Sequence, residues 1–303
     1  NGLYYRFTGT EAEVVTELGN GYNELQNGYE EPPSASNIVI PPSVTYNGNT
    51  YTVTSIGGWV FAYNESVRSI SIPNTVVSIG NCAFYYPENL SSIHIPKSVK
   101  TIGEGAFAGI KNLTVDPENT VFDSRDNCNA VIETATNTLV SACNNTVVPS
   151  GVTTIGSGAF YGVSVHSNII PYGVVTLAAR AFCKCYSTDN TIILPNSIKT
   201  IGNAAFYGCS WLRSITIPSS VESIEGYAFM LCNGLSSITF DNCCPVFSRD
   251  NPLEAIIDED YTKDVYYPAY AHSYYSYGYM RRCNLHPQIK IDREWTTYCA
   301  TAS

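Results

Sequence analysis

From Leu90 to Phe107 the chain reads LSSIHIPKSVKTIGEGAF, with apolar side chains at Leu90, Ile93, Ile95, Val99, Ile102 and Phe107 and polar residues between them. Its first half, LxxIxIP, alternates apolar and polar, the period of a strand with one buried face. Proline stops the strand because it cannot donate a ladder hydrogen bond. VxxIG then makes a second short extended segment, and Ala-Phe brings the chain back. The frame returns as VRSISIPNTVVSIGNCAF from Val67 to Phe84 and as LRSITIPSSVESIEGYAF from Leu212 to Phe229. The closing phenylalanine falls at Phe61, Phe84, Phe107, Phe160, Phe182, Phe206 and Phe229, so the gaps are 23, 23, 53, 22, 24 and 23 residues. A fixed period of this size marks a solenoid whose units cannot fold alone. The pattern predicts that Ile70 and Ile72, Ile93 and Ile95, Ile215 and Ile217, and Ile238 and Phe240 point inward, and that the phenylalanines form one internal column. Gly57, Gly80, Gly103, Gly156 and Gly202 are expected at a bend with unusual backbone angles.

The pattern also shows where the repeat fails. Residues 1–35 do not fit it; strands over Leu3–Phe7 and Ala12–Thr16, around a Thr-Gly-Thr turn, are expected to form an N-terminal β cap. The solenoid is read as 36–240. Within it Tyr46-Asn47-Gly48-Asn49 predicts a hairpin. The gap of 53 residues equals one coil plus 30 more, and a second hairpin, with strands Ala130–Thr134 and Thr138–Ala142, is expected inside an insertion of about 116–148. The copy from Ser164 to Phe182 is the weakest, with Asn168 in an isoleucine position and Leu177-Ala178 replacing Ile-Gly, so a shift of register is expected there. Residues 241–292 read as a C-terminal cap, with a helical turn at 252–257, a strand at 264–268, a capping helix at 269–280 and a final strand near Ile289-Lys290-Ile291. Residues 293–303 read as a linker or the start of a further domain.

Net charge is −10 and only 14 % of residues are charged. Phosphate backbones need clustered Lys and Arg, so a nucleic-acid partner is excluded, and an anionic membrane surface is disfavoured. No apolar run approaches the roughly 18 residues that span a bilayer, so no membrane insertion is expected in this segment. The chain opens on Asn1, which reads as a mature or trimmed start from which any export signal has been removed. Of eleven cysteines, Cys185, Cys209 and Cys232 each lie three residues after a marker phenylalanine, where other copies carry Val163 and Ile110. A slot shared by Cys, Val and Ile is a core position, and buried free thiols are expected there.

Candidate chemistry is sparse. The histidines His94, His166, His272 and His286 form no HxH or HExxH, and no nucleophile elbow or phosphate loop occurs. Gly103-Glu104-Gly105 with Ala108 fits a dinucleotide pattern, but neighbouring copies show it to be ordinary repeat. Asp258-Glu259-Asp260 lacks the alternating ligands of a calcium loop. Neither a catalytic residue, a metal nor a cofactor is expected. The clustered charges Asp123, Arg125, Asp126 and Glu133 are the sole enzymatic candidate. The outward strand positions Ser69, Ser71, Ser92, His94, Asn112, Thr114, Ser214, Thr216, Ser237 and Thr239 form a candidate concave binding face of small, nearly uncharged groups. The second candidate surface is aromatic: Tyr261, Tyr266, Tyr267, Tyr270, Tyr274, Tyr275, Tyr277 and Tyr279, whose plain alternative is to cover the last coil.

The frame LxxIxIPxxVxxIGxxAFxxC resembles the BspA-like leucine-rich repeat, also called the Treponema pallidum type, over roughly residues 35–240 in eight or nine copies. The segment VFDSRDNCNAVIETATNTL resembles one found in such proteins of gut Bacteroidetes, and NGLYYRF (Asn1–Phe7) and Asp264–Pro268 resemble their capping segments. The resemblance implies a fold of the α/β leucine-rich-repeat class, β-rich, a right-handed solenoid of coils of about 23 residues. It implies export to the cell surface or the extracellular space, and a non-enzymatic, monomeric module binding a host or matrix protein. The alternative is a structural spacer or glycan-capture domain of a larger surface protein. The family has no shared catalytic or binding residues to carry over, and a fold alone does not fix a function.

Overall fold

The computed structural model describes residues 3–16 and 36–241, and the backbone of four short strands, Tyr22–Asn23, Gly28–Tyr29, Val246–Phe247 and Asp264–Tyr266. Among the described residues there is no α-helix; a single 3-10 turn covers Arg125–Asn127, and the rest is strand and turn. This is the β-rich form of the expected leucine-rich-repeat class, and among the described residues turns make the return segment of each coil. By its contacts the chain forms two compact units. Unit 1 comprises Asn1–Pro149 and Ala159–Ser164, and unit 2 comprises Ser150–Gly158 and Val165–Ser303.

In unit 1, strands Tyr4–Thr8 and Glu11–Val15 pair antiparallel around Gly9, and the second lies parallel to Asn49–Ile56. From there short parallel pairs carry the ladder onward, Ser55–Ile56 to Ser78–Ile79 to Thr101–Ile102. Ser43–Tyr46 pairs antiparallel with Asn49–Ile56 across a turn where Asn47 (φ 51°) and Gly48 (φ 79°) are both left-handed, the geometry that makes Asn-Gly a hairpin turn. A second row of strands comes from the LxxIxIP segments: Asn37–Val39 pairs parallel with Ser69–Ser71, and Ser92–Ile95 with Asn112–Val115. Ala130–Glu133 and Thr138–Ala142 pair antiparallel, with a bulge between Val131 and Ile132. In unit 2, Thr154–Ile155, Thr176–Leu177, Thr200–Ile201, Ser223–Ile224 and Val246–Phe247 form one parallel ladder, and Thr191–Ile192, Ser214–Ile217, Ser237–Phe240 and Asp264–Tyr266 form the other.

All seven marker phenylalanines are completely buried. Within unit 1, Phe61, Phe84 and Phe107 stack with centroids 5.1 and 5.9 Å apart; within unit 2, Phe182, Phe206 and Phe229 stack at 5.3 and 5.5 Å. Isoleucines of both strand rows close around them, among them Ile56, Ile79, Ile93 and Ile95 in unit 1 and Ile201, Ile215, Ile217 and Ile224 in unit 2. Ile70 and Ile72 are only partly buried but pack on the same core.

Two expectations need correction. The weak copy keeps its register, because Thr176 and Leu177 pair in step with the coils on both sides. What it loses is its first strand: the stretch from His166 to Ile170 is turn and bend, and Asn168 is exposed. Nor do the repeat glycines provide unusual angles. Gly57, Gly80, Gly103, Gly156 and Gly202 are not among the left-handed residues. The left-handed residues sit two and six places later in every copy. Trp59, Cys82, Gly105, Gly158, Arg180, Ala204 and Tyr227 hold the first place, and Tyr63, Tyr86, Gly109, Gly162, Lys184, Gly208 and Leu231 the second. The repeat glycines answer to space instead. A Cβ on Gly103 would lie 2.4 Å from the Asn81 nitrogen and 2.6 Å from the Gly80 carbonyl carbon; one on Gly80 would lie 2.5 Å from the Gly58 nitrogen. Ala178 and Glu225 occupy the same slot in two copies, so the approach is not equally tight in each.

The helical turn expected at 252–257, the helix expected at 269–280 and the strand expected near Ile289 fall outside the described residues. Three stability outcomes follow from the packing, each read by thermal or denaturant unfolding. Gly103→Ala should cost about 1–3 kcal/mol, because backbone rather than a flexible side chain must move. Phe206→Ala should cost about 3–5 kcal/mol as a cavity in the stack. Ala204→Gly should stabilise by up to about 1 kcal/mol, since it removes a Cβ from a left-handed residue.

Candidate functional site

The ten residues expected on the binding face divide between the units. In unit 1 the parallel register sets Ser92 beside Asn112 and His94 beside Thr114. Ser69 and Ser71 lie beside Asn37 and Val39. All six expected residues of this unit are exposed, while Ile93, Ile95 and Leu113 between them are buried. Neighbouring polar groups bond along the row: the Ser69 hydroxyl donates to the Asn37 Oδ1 at 2.7 Å, and His94 Nδ1 lies 3.0 Å from the Thr114 hydroxyl. Asp116 approaches the other ring nitrogen of His94 at 3.9 Å, so the one ionisable side chain of the row has a carboxylate beside it. Sequence reasoning did not foresee what ends the row. Asn129 Oδ1 accepts from the Leu113 N–H, and the Ser124 hydroxyl donates to the Leu113 carbonyl, so side chains of the insertion bond the edge of strand Asn112–Val115. In unit 2, Ser214 lies beside Ser237 and Thr216 beside Thr239. Ser214 and both threonines are exposed, and Ser237 is half-buried.

A further aromatic surface was also missed. In unit 1, Tyr85 contacts Trp59, Tyr63, Tyr86 and Tyr161 with ring centroids between 4.8 and 5.8 Å, and Tyr86 donates its hydroxyl to the Gly162 carbonyl. The glycines explain the reach. A Cβ on Gly105 would strike Tyr161, one on Gly109 would strike Tyr86, and one on Gly162 would strike Tyr85. The sequence signal was available, since tyrosine recurs one and two residues after the marker phenylalanine. Apart from the backbone of Tyr266, the C-terminal tyrosines fall outside the described residues, as do Asp258-Glu259-Asp260, His272 and His286.

The charges weighed for catalysis do meet in part. Arg125 bonds both carboxylate oxygens of Asp123, at 2.8 and 2.6 Å, and Asn137 Oδ1 at 2.9 Å. The Thr134 hydroxyl donates to Asp123 at 3.0 Å. Glu133 accepts from the Thr136 hydroxyl, and Asp126 is exposed. Burial alone would raise the Asp123 pKa, but the hydrogen bonds from Arg125 and Thr134 outweigh it and hold the carboxyl below its usual range. With both oxygens bonded, this carboxylate clips the start of the insertion to its hairpin turn. Cys82, Cys128, Cys143, Cys183, Cys185, Cys209 and Cys232 are buried, and Cys128, Cys143, Cys185 and Cys209 are free thiols. Among the described residues no group of three or more His, Cys, Asp or Glu is placed to hold a metal ion, and no helix is long and apolar enough to cross a membrane.

The clip makes a pH prediction. A carboxyl whose folded pKa is depressed contributes stability above its unfolded pKa, near 3.9, and that contribution is lost as pH falls through the folded value. Asp123→Asn should therefore lower stability by about 1 kcal/mol at neutral pH, discounted for partial exposure. The gap from wild type should close below about pH 4, as read by unfolding curves across pH 2–7.

Similar proteins have been solved. The pneumococcal vaccine antigen PcpA is 17% identical, with 88% of this chain and 91% of that chain covered and a TM-score of 0.47. A leucine rich cell surface protein from Faecalibacterium prausnitzii is also 17% identical, over 86% of this chain and 97% of its own, with a TM-score of 0.43. The T. pallidum leucine rich repeat protein is 20% identical, over 79% and 83%, with a TM-score of 0.30. No curated protein matches the chain. The model of the BspA type leucine rich repeat region matches residues 34–128 and 132–250 in six copies, fewer than the eight or nine read from the sequence. Coils that stack their phenylalanines and pair in parallel give that match its physical form, and the chain belongs to the BspA type leucine rich repeat family.

Proposed function

We propose that this protein is a non-catalytic binding module that works at the cell surface or outside the cell and holds a protein partner on its outward strand face. The observation that carries the reading is the row in unit 1: Ser69, Ser71, Ser92, His94, Asn112 and Thr114 are all exposed, and the parallel register holds Ser92–Asn112 and His94–Thr114 side by side. Such a row offers short donors and acceptors at fixed spacing. Its side chains are small, so little conformational entropy is lost when a partner is seated. It carries no Trp, Tyr or Arg, so the affinity expected of it is moderate unless the aromatic cluster of Tyr63, Tyr85 and Tyr86 contributes. Catalysis has no support in the same region, where the one strongly bonded carboxylate serves the hairpin.

The experiment is a solution-binding screen of the full chain against extracellular matrix proteins, with neutral glycans as a separate arm. It is repeated with the double substitution Ser92→Arg and Thr114→Arg on adjacent strands. A protein ligand whose affinity falls by about tenfold or more in the variant, with the unfolding midpoint unchanged, supports the face as the site. Equal binding by both chains sinks that assignment. Binding of glycans alone favours the capture reading.

A further inference from the structure

In unit 2 the slot three residues after the stacked phenylalanine is cysteine in three consecutive coils, Cys185, Cys209 and Cys232; all three are buried, and Cys185 and Cys209 are free. The sulfurs of Cys185 and Cys209 are 3.4 Å apart. The Cys209 thiol donates to the Phe182 carbonyl and the Cys232 thiol to the Phe206 carbonyl, each at 3.0 Å, so the same contact repeats from one coil to the next. Cys209 is the middle member, with a thiol neighbour on each side. Ile110 and Val163 fill the same slot elsewhere, also fully buried, so packing alone does not call for sulfur.

We infer that Cys185 and Cys209 form a cross-linking site, a disulfide that ties two successive coils together. The backbone geometry permits it. The amides of Phe182 and Lys184 donate to the Ala205 and Tyr207 carbonyls at 2.7 Å each, which holds the two turns at the close spacing that a disulfide needs, roughly 4.4–6.8 Å between Cα atoms. The two residues are equivalent positions of neighbouring coils, and their sulfurs, 3.4 Å apart, must close to the roughly 2.05 Å of a disulfide. The reaction is thiol–disulfide exchange with an oxidised low-molecular-weight thiol. The thiolate of one cysteine attacks that reagent, breaks its S–S bond and expels one thiol. The second cysteine then attacks the mixed disulfide and expels the other. Two protein thiols become one disulfide, and one reagent disulfide becomes two thiols, which take up the two protons.

Timing follows from burial. Loss of hydration holds the Cys209 thiol protonated in the closed core, where no reagent reaches it. Exchange therefore belongs to the folding chain, before the coil closes, and the finished bond is sealed from reductants. Cys209 lies between two neighbours and makes one bond, and the 3.4 Å approach of the sulfurs selects Cys185.

The test is to unfold the full chain and refold it in a mixture of reduced and oxidised glutathione. Remaining thiols are then alkylated, and the digest is mapped by mass spectrometry. The expected map joins the Cys185 peptide to the Cys209 peptide. The thermal midpoint should lie about 5 °C above that of the chain refolded with excess reductant. That difference should disappear in C209V, where valine takes a slot that Val163 already fills in another copy, and persist in C183V, a buried cysteine of a different slot. If C209V does not fold, the wild-type map decides alone. Recovery of Cys185 and Cys209 both alkylated overturns the inference, as does an unchanged midpoint difference in folded C209V.

Discussion

The structure depends on one backbone device, the left-handed residue that turns its N–H out of its own coil and into the next. In a helix every amide points along the same axis and bonds within the segment. Here the amides of the return turn alternate. Ala83 and Tyr85 donate within their own coil, to Gly80 and Cys82, whereas Cys82, Phe84 and Tyr86 donate across to Glu104, Ala106 and Ala108 at 2.7–2.9 Å. In unit 2, Ala204, Phe206 and Gly208 do the same to Gly226, Ala228 and Met230. Cys82, Tyr86, Ala204 and Gly208 are the left-handed residues of their turns. Each non-glycine residue so placed costs roughly 1–2 kcal/mol. What offsets the cost is a bond for an amide that would otherwise sit unpaired beside a dry core, a loss of about 1–3 kcal/mol.

The device also sets the spacing. Amides that bridge coils hold neighbouring turns at hydrogen-bond distance, and at that distance the rings of Phe84 and Phe107 or of Phe206 and Phe229 can only lie face to face. The same distance removes the room for a Cβ at Gly80 and Gly103. Strand register follows, since a coil fixed at its turn cannot slip along its strands without carrying isoleucines to the outer face. The candidate binding row is therefore a product of the core. His94 and Thr114 stand side by side because Ile93 and Leu113 beneath them are locked.

Charge plays a local part in this protein. The best-connected ion pair among the described residues joins Asp123 to Arg125, two residues away, through both carboxylate oxygens, and serves a hairpin turn. Exposed pairs such as Lys97–Glu118 and Lys199–Glu222 link neighbouring coils at the surface, where such contacts contribute little. The stack is held by apolar burial and backbone bonds, and its outward strand positions are left to small hydroxyl and amide groups that nothing in the core requires. That freedom makes the face a place where a binding function can be carried without disturbing the fold.

The amino-acid sequence by itself determined the repeat, the buried face of each strand and the burial of every marker phenylalanine, because alternation and period are local and recur in each copy. It also placed the hydroxyl row on the outside, since alternation that sends Ile93 inward must send Ser92 and His94 outward. Only the tertiary structure decided what happens between coils. The glycines at 80 and 103 looked like a demand for unusual angles, yet their reason is a neighbour 23 residues away, and the left-handed places fell to Cys82, Arg180 and Tyr227, whose side chains give no hint of it. The division of the candidate face between two units, the bonding of its edge by Ser124 and Asn129, and the meeting of Tyr85 with Tyr161 were equally out of reach. Each depends on which coil lies against which, and that is fixed by contacts between residues far apart in the chain.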